Sequence, residues 1–289
     1  ILVTLKMMVC ALTASIFFKR QFKKLNLLQN VAISVMYAFC GYAMFYYQNQ
    51  VWLDVMYLFP ILLIGLAKLV DEDKILLYVI TFSMTLTVNF YLSYMVCIFL
   101  VLAMGVSVFF AVPRERRRKS ILLLVISTVI VALITAVVWL PSLIQYMGSA
   151  RTGNLFVSLR TGNFFTRFDT TLALILCTGG ILAALIMYLL FSTEQTKTGT
   201  CTLFIFILTI IPVLIEPINK MWHTGNYQAF PVRYGYITIF FGLILLAIVI
   251  SDMNEEHSLT TSYPFSLFGG MLAIGAVFIA ECLLLDKDY

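Results

Sequence analysis

The sequence predicts an all-α fold, a polytopic bundle of about ten transmembrane helices. Apolar residues make up 62% of the chain and charged residues only 11%. The apolar residues fall into stretches long enough for a hydrocarbon core of ~30 Å, which a helix of roughly 20 residues crosses. Because backbone in lipid must satisfy its own hydrogen bonds, such stretches indicate helices. We therefore expect a single transmembrane domain over residues 1–289.

The expected spans follow the hydropathy of the chain, with polar segments between them. The boundary between the fourth and fifth spans is the least distinct, since only a short aromatic segment with one asparagine separates them. In chain order the ten spans are Ile1–Phe18, Val31–Tyr47, Val55–Val70, Ile75–Phe90, Leu92–Val112, Ile121–Tyr146, Thr171–Phe191, Thr200–Ile215, Tyr234–Ser251 and Phe265–Leu285.

The basic residues predict how the chain is oriented in a bacterial cell membrane. If the first connection is cytoplasmic, alternate counting places more Lys and Arg in cytoplasmic loops than outside, as the positive-inside rule requires. The run Arg114–Lys119 contributes most to this bias. The loops 147–170 and 216–233 then lie outside. The formal charge of +5 has the same origin and does not indicate a nucleic-acid partner.

Several common functional motifs are absent from the sequence. It contains no P-loop, GxGxxG or HExxH motif, which argues against an ATP-driven pump. Its six cysteines lie in expected spans, without CxxC pairs or histidines at metal-binding spacing. No metal ligands and no cofactor are therefore evident within the chain.

Arginines collect in the loops that we expect outside, where positive charge is usually scarce. The sequence Arg-Thr-Gly-Asn occurs twice in the loop 147–170, which also contains a third arginine, and Arg233 stands at the mouth of the ninth span. A forked guanidinium suits a phosphate or pyrophosphate at the membrane surface. The alternative is that these arginines snorkel to the interface. The candidates for phosphate binding are Arg151, Arg160, Arg167 and Arg233.

A second set of polar and aromatic residues suits a sugar or its acceptor. Asp54 could orient a hydroxyl or act as a helper base, or it could be the N-cap of the third helix. The other members could belong to an interfacial aromatic belt instead, and a lone loop histidine is usually a surface residue. These candidates are Asn89, Tyr91, Tyr94, Trp222 and His223. Lys6 lies inside a span, where a charge is costly and is usually paired or snorkels.

Short motifs in a fixed order resemble those of one family, the YfhO family of bacterial multi-pass membrane proteins, which is grouped with the GT-C type of lipid-linked glycosyltransferases. The resemblance extends over most of residues 5–247. The matching stretches are Leu5–Thr13 with its Leu-Lys pair, Tyr37–Tyr42, Trp52–Asp54 followed by Phe59-Pro60, Asn89–Tyr94, Trp139–Leu143 and Phe230–Tyr234.

The resemblance implies transfer of a sugar from a polyprenyl-phosphate donor in the outer leaflet to a cell-envelope polymer, with membrane lipids around the enzyme. The four arginines and Lys6 would then bind the donor phosphate, and Asp54 would support catalysis. The GT-C type places its main catalytic carboxylate on a first outer loop. Since the first span here matches a later family span, we expect that loop before Ile1, the chain to be a fragment, and any divalent cation to be held by residues outside it.

Two other classes of function stay open. A lipid or solute transporter, or a flippase, would use polar residues inside the membrane and often internal repeats. A noncatalytic membrane scaffold would need neither.

Overall fold

The computed structural model describes residues 1–148, 162–178, 180–191, 197–225 and 229–255. These residues form α-helices and connecting turns, and one isolated antiparallel bridge joins Phe165 to Ile215. The expectation of an all-α membrane bundle is confirmed.

The helices of the described part are numbered here in chain order. They are α1 (Leu2–Gln21), α2 (Leu27–Ala38), α3 (Gly41–Tyr46), α4 (Gln50–Glu72), α5 (Leu76–Val88), α6 (Phe90–Phe110), α7 (Arg114–Ile134), α8 (Ala136–Met147), α9 (Phe168–Leu176), α10 (Gly180–Phe191), α11 (Lys197–Leu214), α12 (Glu216–Trp222) and α13 (Gly235–Glu255).

Six segments of the described chain are long and apolar enough to cross a membrane: α1, α2 with α3, α4, α6, α11 and α13. Two bent pairs, α7–α8 and α9–α10, raise the number to as many as eight. Helix α5 has 13 residues, about 20 Å at 1.5 Å per residue, which is short of a full crossing. The count of ten stays a prediction, and the tenth expected span lies outside the described residues.

The sixth and seventh expected spans are each broken. Helices α7 and α8 meet at 80°, and α9 and α10 at 78°. At the first break, the Thr135 hydroxyl donates to the Val131 carbonyl at 2.7 Å, and the Trp139 indole donates to the Ala132 carbonyl at 2.8 Å. The Val131 carbonyl also accepts the Thr135 amide, so it is the Trp139 indole that satisfies a further carbonyl at the helix end.

Helix α13 forms the centre of the bundle and is buried along most of its length. Phe240 on α13 is fully buried. Its ring centroid lies 4.7 Å from that of Tyr37, 5.0 Å from Phe17, 5.4 Å from Phe18 and 5.7 Å from Phe59. Because lipid tails are as apolar as these side chains, close packing rather than exclusion of water favours this association.

Two glycines allow backbones to approach closely. A Cβ at Gly65 would come within 2.8 Å of the Tyr78 backbone nitrogen, which brings α4 against α5. At Gly41 a Cβ would collide with the Leu174 carbonyl oxygen. The Gly41 amide instead donates to the Thr178 hydroxyl at 3.2 Å, so the start of α3 packs against the end of α9.

The connections of the bundle meet at two ends. At one, here called the basic end, Arg20 pairs with Glu72 at 2.9 Å, and Asp73 pairs with Arg116 at 3.0 Å and with Lys119 at 2.7 Å. At the other, the aromatic end, lie the starts of α4 and α6 and the α12 segment. This grouping agrees with the alternate counting of loops, whereas which end faces the cytoplasm stays a prediction.

Candidate functional site

Arg233 lies between two aromatic rings at the aromatic end. Its guanidinium carbon is 5.4 Å from the ring centroid of Trp52 on α4 and 5.0 Å from that of Tyr91 on α6. Both distances are within the range of a cation–π interaction. One terminal nitrogen donates to the Ala229 carbonyl at 2.9 Å. The Nε is buried and has no hydrogen-bond partner within the described part of the chain, whereas the side chain as a whole is only partly buried.

A strained turn places this arginine. Phe230 has φ +61°, the left-handed region that a bulky residue rarely adopts. Its ring packs edge-to-face on both Tyr46 and Trp52, each with centroids 5.3 Å apart, and Tyr46 and Trp52 lie 5.4 Å from each other. Such strain costs on the order of 1–3 kcal/mol and persists only where the surroundings hold it. The three rings therefore fix the segment from which Arg233 projects.

Asn89 and the tyrosines that follow it build the second wall. The Asn89 side chain accepts from the Leu92 amide at 2.9 Å and so caps α6. The Tyr91 hydroxyl donates to the His223 carbonyl, and the Tyr94 hydroxyl to the Met221 carbonyl, each at 3.1 Å. These polar atoms join α6 to α12, and Tyr91 presents its ring to Arg233. Their predicted role toward a sugar stays a prediction.

Trp222 and His223 are both buried at this end. The Trp222 ring packs on Tyr234, with centroids 4.6 Å apart, and His223 Nδ1 lies 2.8 Å from the Asn219 carbonyl oxygen. Burial lowers the pKa of His223 to about 4, and the nearby charge of Arg233 acts in the same direction. The histidine is therefore neutral at pH 7, and the alternative that it is a surface residue is wrong.

The structure adds polar residues that the sequence analysis did not single out. Asn219 is fully buried, and its side-chain oxygen lies 3.5 Å from the Tyr234 hydroxyl. The Tyr146 and Thr224 hydroxyls are 2.5 Å apart and connect α8 to the end of α12. The sequence did offer one signal for Asn219: it stands four residues before His223, about one helical turn away.

Lys6 and Asp54 form an ion pair near the same end, with nitrogen and oxygen 2.7 Å apart and side chains 16% and 15% exposed. Lys6 also donates to the Gln50 carbonyl at 3.1 Å. Helix α4 begins at Gln50, so the interpretation of Asp54 as a helix N-cap is wrong. Because Asp54 stands two positions after Trp52, about 200° around the helix, the pair and Arg233 lie on different faces of α4.

The remaining arginine candidates are not brought to Arg233 by any described contact. Arg167 pairs with Asp169 at 3.1 Å, and its side chain is two-thirds exposed. Arg151 and Arg160 lie outside the described residues. Within the described ranges, no group of three or more His, Cys, Asp or Glu is placed to hold a metal ion.

Comparison with known proteins supplies a family. The profile of the family described as "Bacterial membrane protein YfhO" matches residues 1–287. No curated protein and no solved structure matches the chain. Since the family match covers nearly the whole sequence, the resemblance of the short motifs is confirmed, and the chain belongs to the YfhO family of bacterial membrane proteins.

Proposed function

We propose that this protein is a GT-C type glycosyltransferase, which transfers a sugar from a polyprenyl-phosphate donor to a cell-envelope polymer at the outer face of the membrane. The acceptor hydroxyl oxygen bonds to the anomeric carbon, the bond from that carbon to the phosphate oxygen breaks, and the phosphate leaves with the electron pair. The hydroxyl proton passes to a carboxylate base. Membership of the family and the polar aromatic end support this proposal.

The placement of Arg233 is the observation on which the proposal mainly rests. A guanidinium binds phosphate oxygens through two parallel N–H donors, and it is always charged. Trp52 and Tyr91 lie on either side of it, and the side chain is only partly buried. A donor lipid lying at the membrane surface could place its phosphate against this guanidinium, where positive charge stabilises the leaving group.

We assign Asp54 a supporting role. Its carboxylate is already held in an ion pair with Lys6, with nitrogen and oxygen 2.7 Å apart. A carboxylate held in this way suits the orientation of an acceptor hydroxyl. Lys6 would add positive charge at the same end of the bundle, on a different face of α4 from Arg233. Asp54→Asn should then reduce the turnover without abolishing it.

A transporter or flippase is the second candidate, and the broken helices favour it. Transporters commonly bind their substrates where membrane helices are discontinuous. Here α7–α8 and α9–α10 are bent pairs, and the break at Thr178 packs against the start of α3 at Gly41.

The deciding experiment is transfer of a radiolabelled sugar from a synthetic polyprenyl-phosphate donor in proteoliposomes, with protein expressed from the complete gene. We expect labelled polymer, and strong loss of it in Arg233→Ala but not in Arg114→Ala, a control at the basic end. Movement of the intact donor between leaflets without release of polyprenyl phosphate would contradict the glycosyltransferase and support the flippase.

A further inference from the structure

A cavity of about 400 Å³ opens at the basic end, far from Arg233. It lies between α1, α4, α6, α11 and α13, and its walls are mostly apolar. Along α6 it extends from Ala111 to Phe99, about 18 Å at 1.5 Å per residue. This is roughly the depth of one leaflet, half of the ~30 Å hydrocarbon core. Side chains of its wall include Phe17, Leu63, Leu66, Phe99, Ile205 and Phe241.

The mouth of this cavity carries charges of both signs. Asp71 and Arg116 line it directly. A second cavity, of about 360 Å³, adjoins it, is lined by Lys23, Lys24 and Asp252, and shares wall residues with the first. The shared wall residues are Gln21, Phe22 and Thr198. An apolar cleft one leaflet deep therefore ends among both cations and carboxylates.

Two of these charges remain available within the described part of the chain. Arg116 bonds to the Asp73 carboxylate and to the backbone carbonyl of Asp71, both at 3.0 Å. The Asp71 carboxylate accepts no hydrogen bond from another described residue, although Arg116 and Arg20 act on it electrostatically. Exposed Lys23 forms no ion pair with a described residue. The Asp71 oxygens at the mouth of the first cavity and the Lys23 ammonium group of the adjoining one thus keep hydrogen-bonding capacity.

We propose that this cleft binds a phospholipid whose head combines a phosphate with a primary ammonium, the chemistry of phosphoethanolamine. One acyl chain occupies the apolar cavity, the phosphate lies beside Lys23 with Lys24 and Arg116 nearby, and the ammonium donates to Asp71. An anionic phosphatidylglycerol head offers Asp71 only neutral hydroxyl donors and no ammonium group. A choline head has no N–H and could not donate a hydrogen bond.

This site lies at the opposite end of the bundle from Arg233 and does not depend on sugar transfer. The test is native mass spectrometry of the full chain with phosphatidylethanolamine, phosphatidylcholine and phosphatidylglycerol of identical acyl chains. We expect phosphatidylethanolamine to be retained best. Asp71→Asn should remove its advantage over phosphatidylcholine, about two- to fivefold, as for a partly exposed ion pair. Lys23→Ala should weaken retention of all three lipids, because each head has a phosphate.

A third variant tests the acyl-chain cavity. Ala67→Phe, on the cavity wall, should displace the acyl chain, whereas Val101→Phe on α6, where the side chain is 71% exposed, should not. If Ala67→Phe does not elute as folded protein, the Asp71→Asn and Lys23→Ala variants still test whether the cleft binds the lipid head group. Equal retention of the three lipids, no retention at all, or an Asp71→Asn protein that keeps the preference would overturn the proposal. Arg233→Ala should leave this lipid retention unchanged, so a negative result for the cleft would not bear on the proposed role of Arg233, nor the reverse.

Discussion

The ion pair between Lys6 and Asp54 gives the sharpest prediction for stability. Its atoms are 2.7 Å apart and both side chains are about five-sixths buried. At an effective dielectric constant of 20, the gross attraction at this distance is about 6 kcal/mol. Most of it is offset by the cost of removing both charges from water. We therefore expect a net coupling of about 1–3 kcal/mol, with each single substitution costing more because it leaves one charge alone.

The perturbation is a double-mutant cycle of Lys6→Met, Asp54→Asn and the double variant. The assay is reversible unfolding in mixed micelles, followed by far-UV circular dichroism. The double variant should lose less stability than the two single variants summed, since neither charge is then left unpaired. Arg167→Ala serves as a control, because its pair with Asp169 is exposed. Additive losses would refute the argument that the two residues stabilise α1 against α4 as a pair.

Three further predictions concern packing, pH and orientation. Gly41→Ala should lower the unfolding free energy by several kcal/mol, since its Cβ would collide with the backbone of α9; a wild-type melting curve would contradict this. His223 has a folded pKa of about 4, below its ordinary 6.5, so its stabilising contribution is complete above pH 6.5 and is lost as the pH falls toward 4. Between pH 7.5 and 4.5 this loss is about 2–3 kcal/mol, and a His223→Gln protein with an unchanged pH profile would argue against it. In a background without native cysteines, an impermeant thiol reagent applied to whole cells should label Asn163→Cys and not Lys74→Cys; the reverse pattern would invert the orientation.

The sequence predicted the helical membrane fold because hydropathy reports directly on the cost of unsatisfied backbone in lipid. It also predicted which loops share an end, since a helix that crosses the membrane necessarily alternates sides. The contact of Asp73 with Arg116 and Lys119 bears this out for the basic end. The helix breaks could not be predicted in this way. Hydropathy averages over a window, whereas the carbonyl at the end of α7 is satisfied by one side chain, the Trp139 indole.

The candidate site was only partly predictable for a similar reason. Lys6 and Asp54 stood out separately as charges in apolar surroundings, but their pairing depends on how α1 packs against α4. Tyr91 was predicted only as one of a set of polar and aromatic residues that suits a sugar. In the structure its hydroxyl donates to the carbonyl of His223, directly after α12, and its ring lies against Arg233. Partners far apart in the chain are set by tertiary packing, which no local motif records.

The binding of polyprenyl phosphate by Arg233 variants tests the central claim most directly. Native mass spectrometry should show Arg233→Ala losing about tenfold or more of the wild-type affinity, the scale of a lost charge-assisted hydrogen bond. Arg233→Lys should recover little, because a point charge cannot span two phosphate oxygens. Arg114→Ala should bind as the wild type does. Equal losses in Arg233→Ala and Arg114→Ala would contradict the claim and reduce it to an effect of general surface charge.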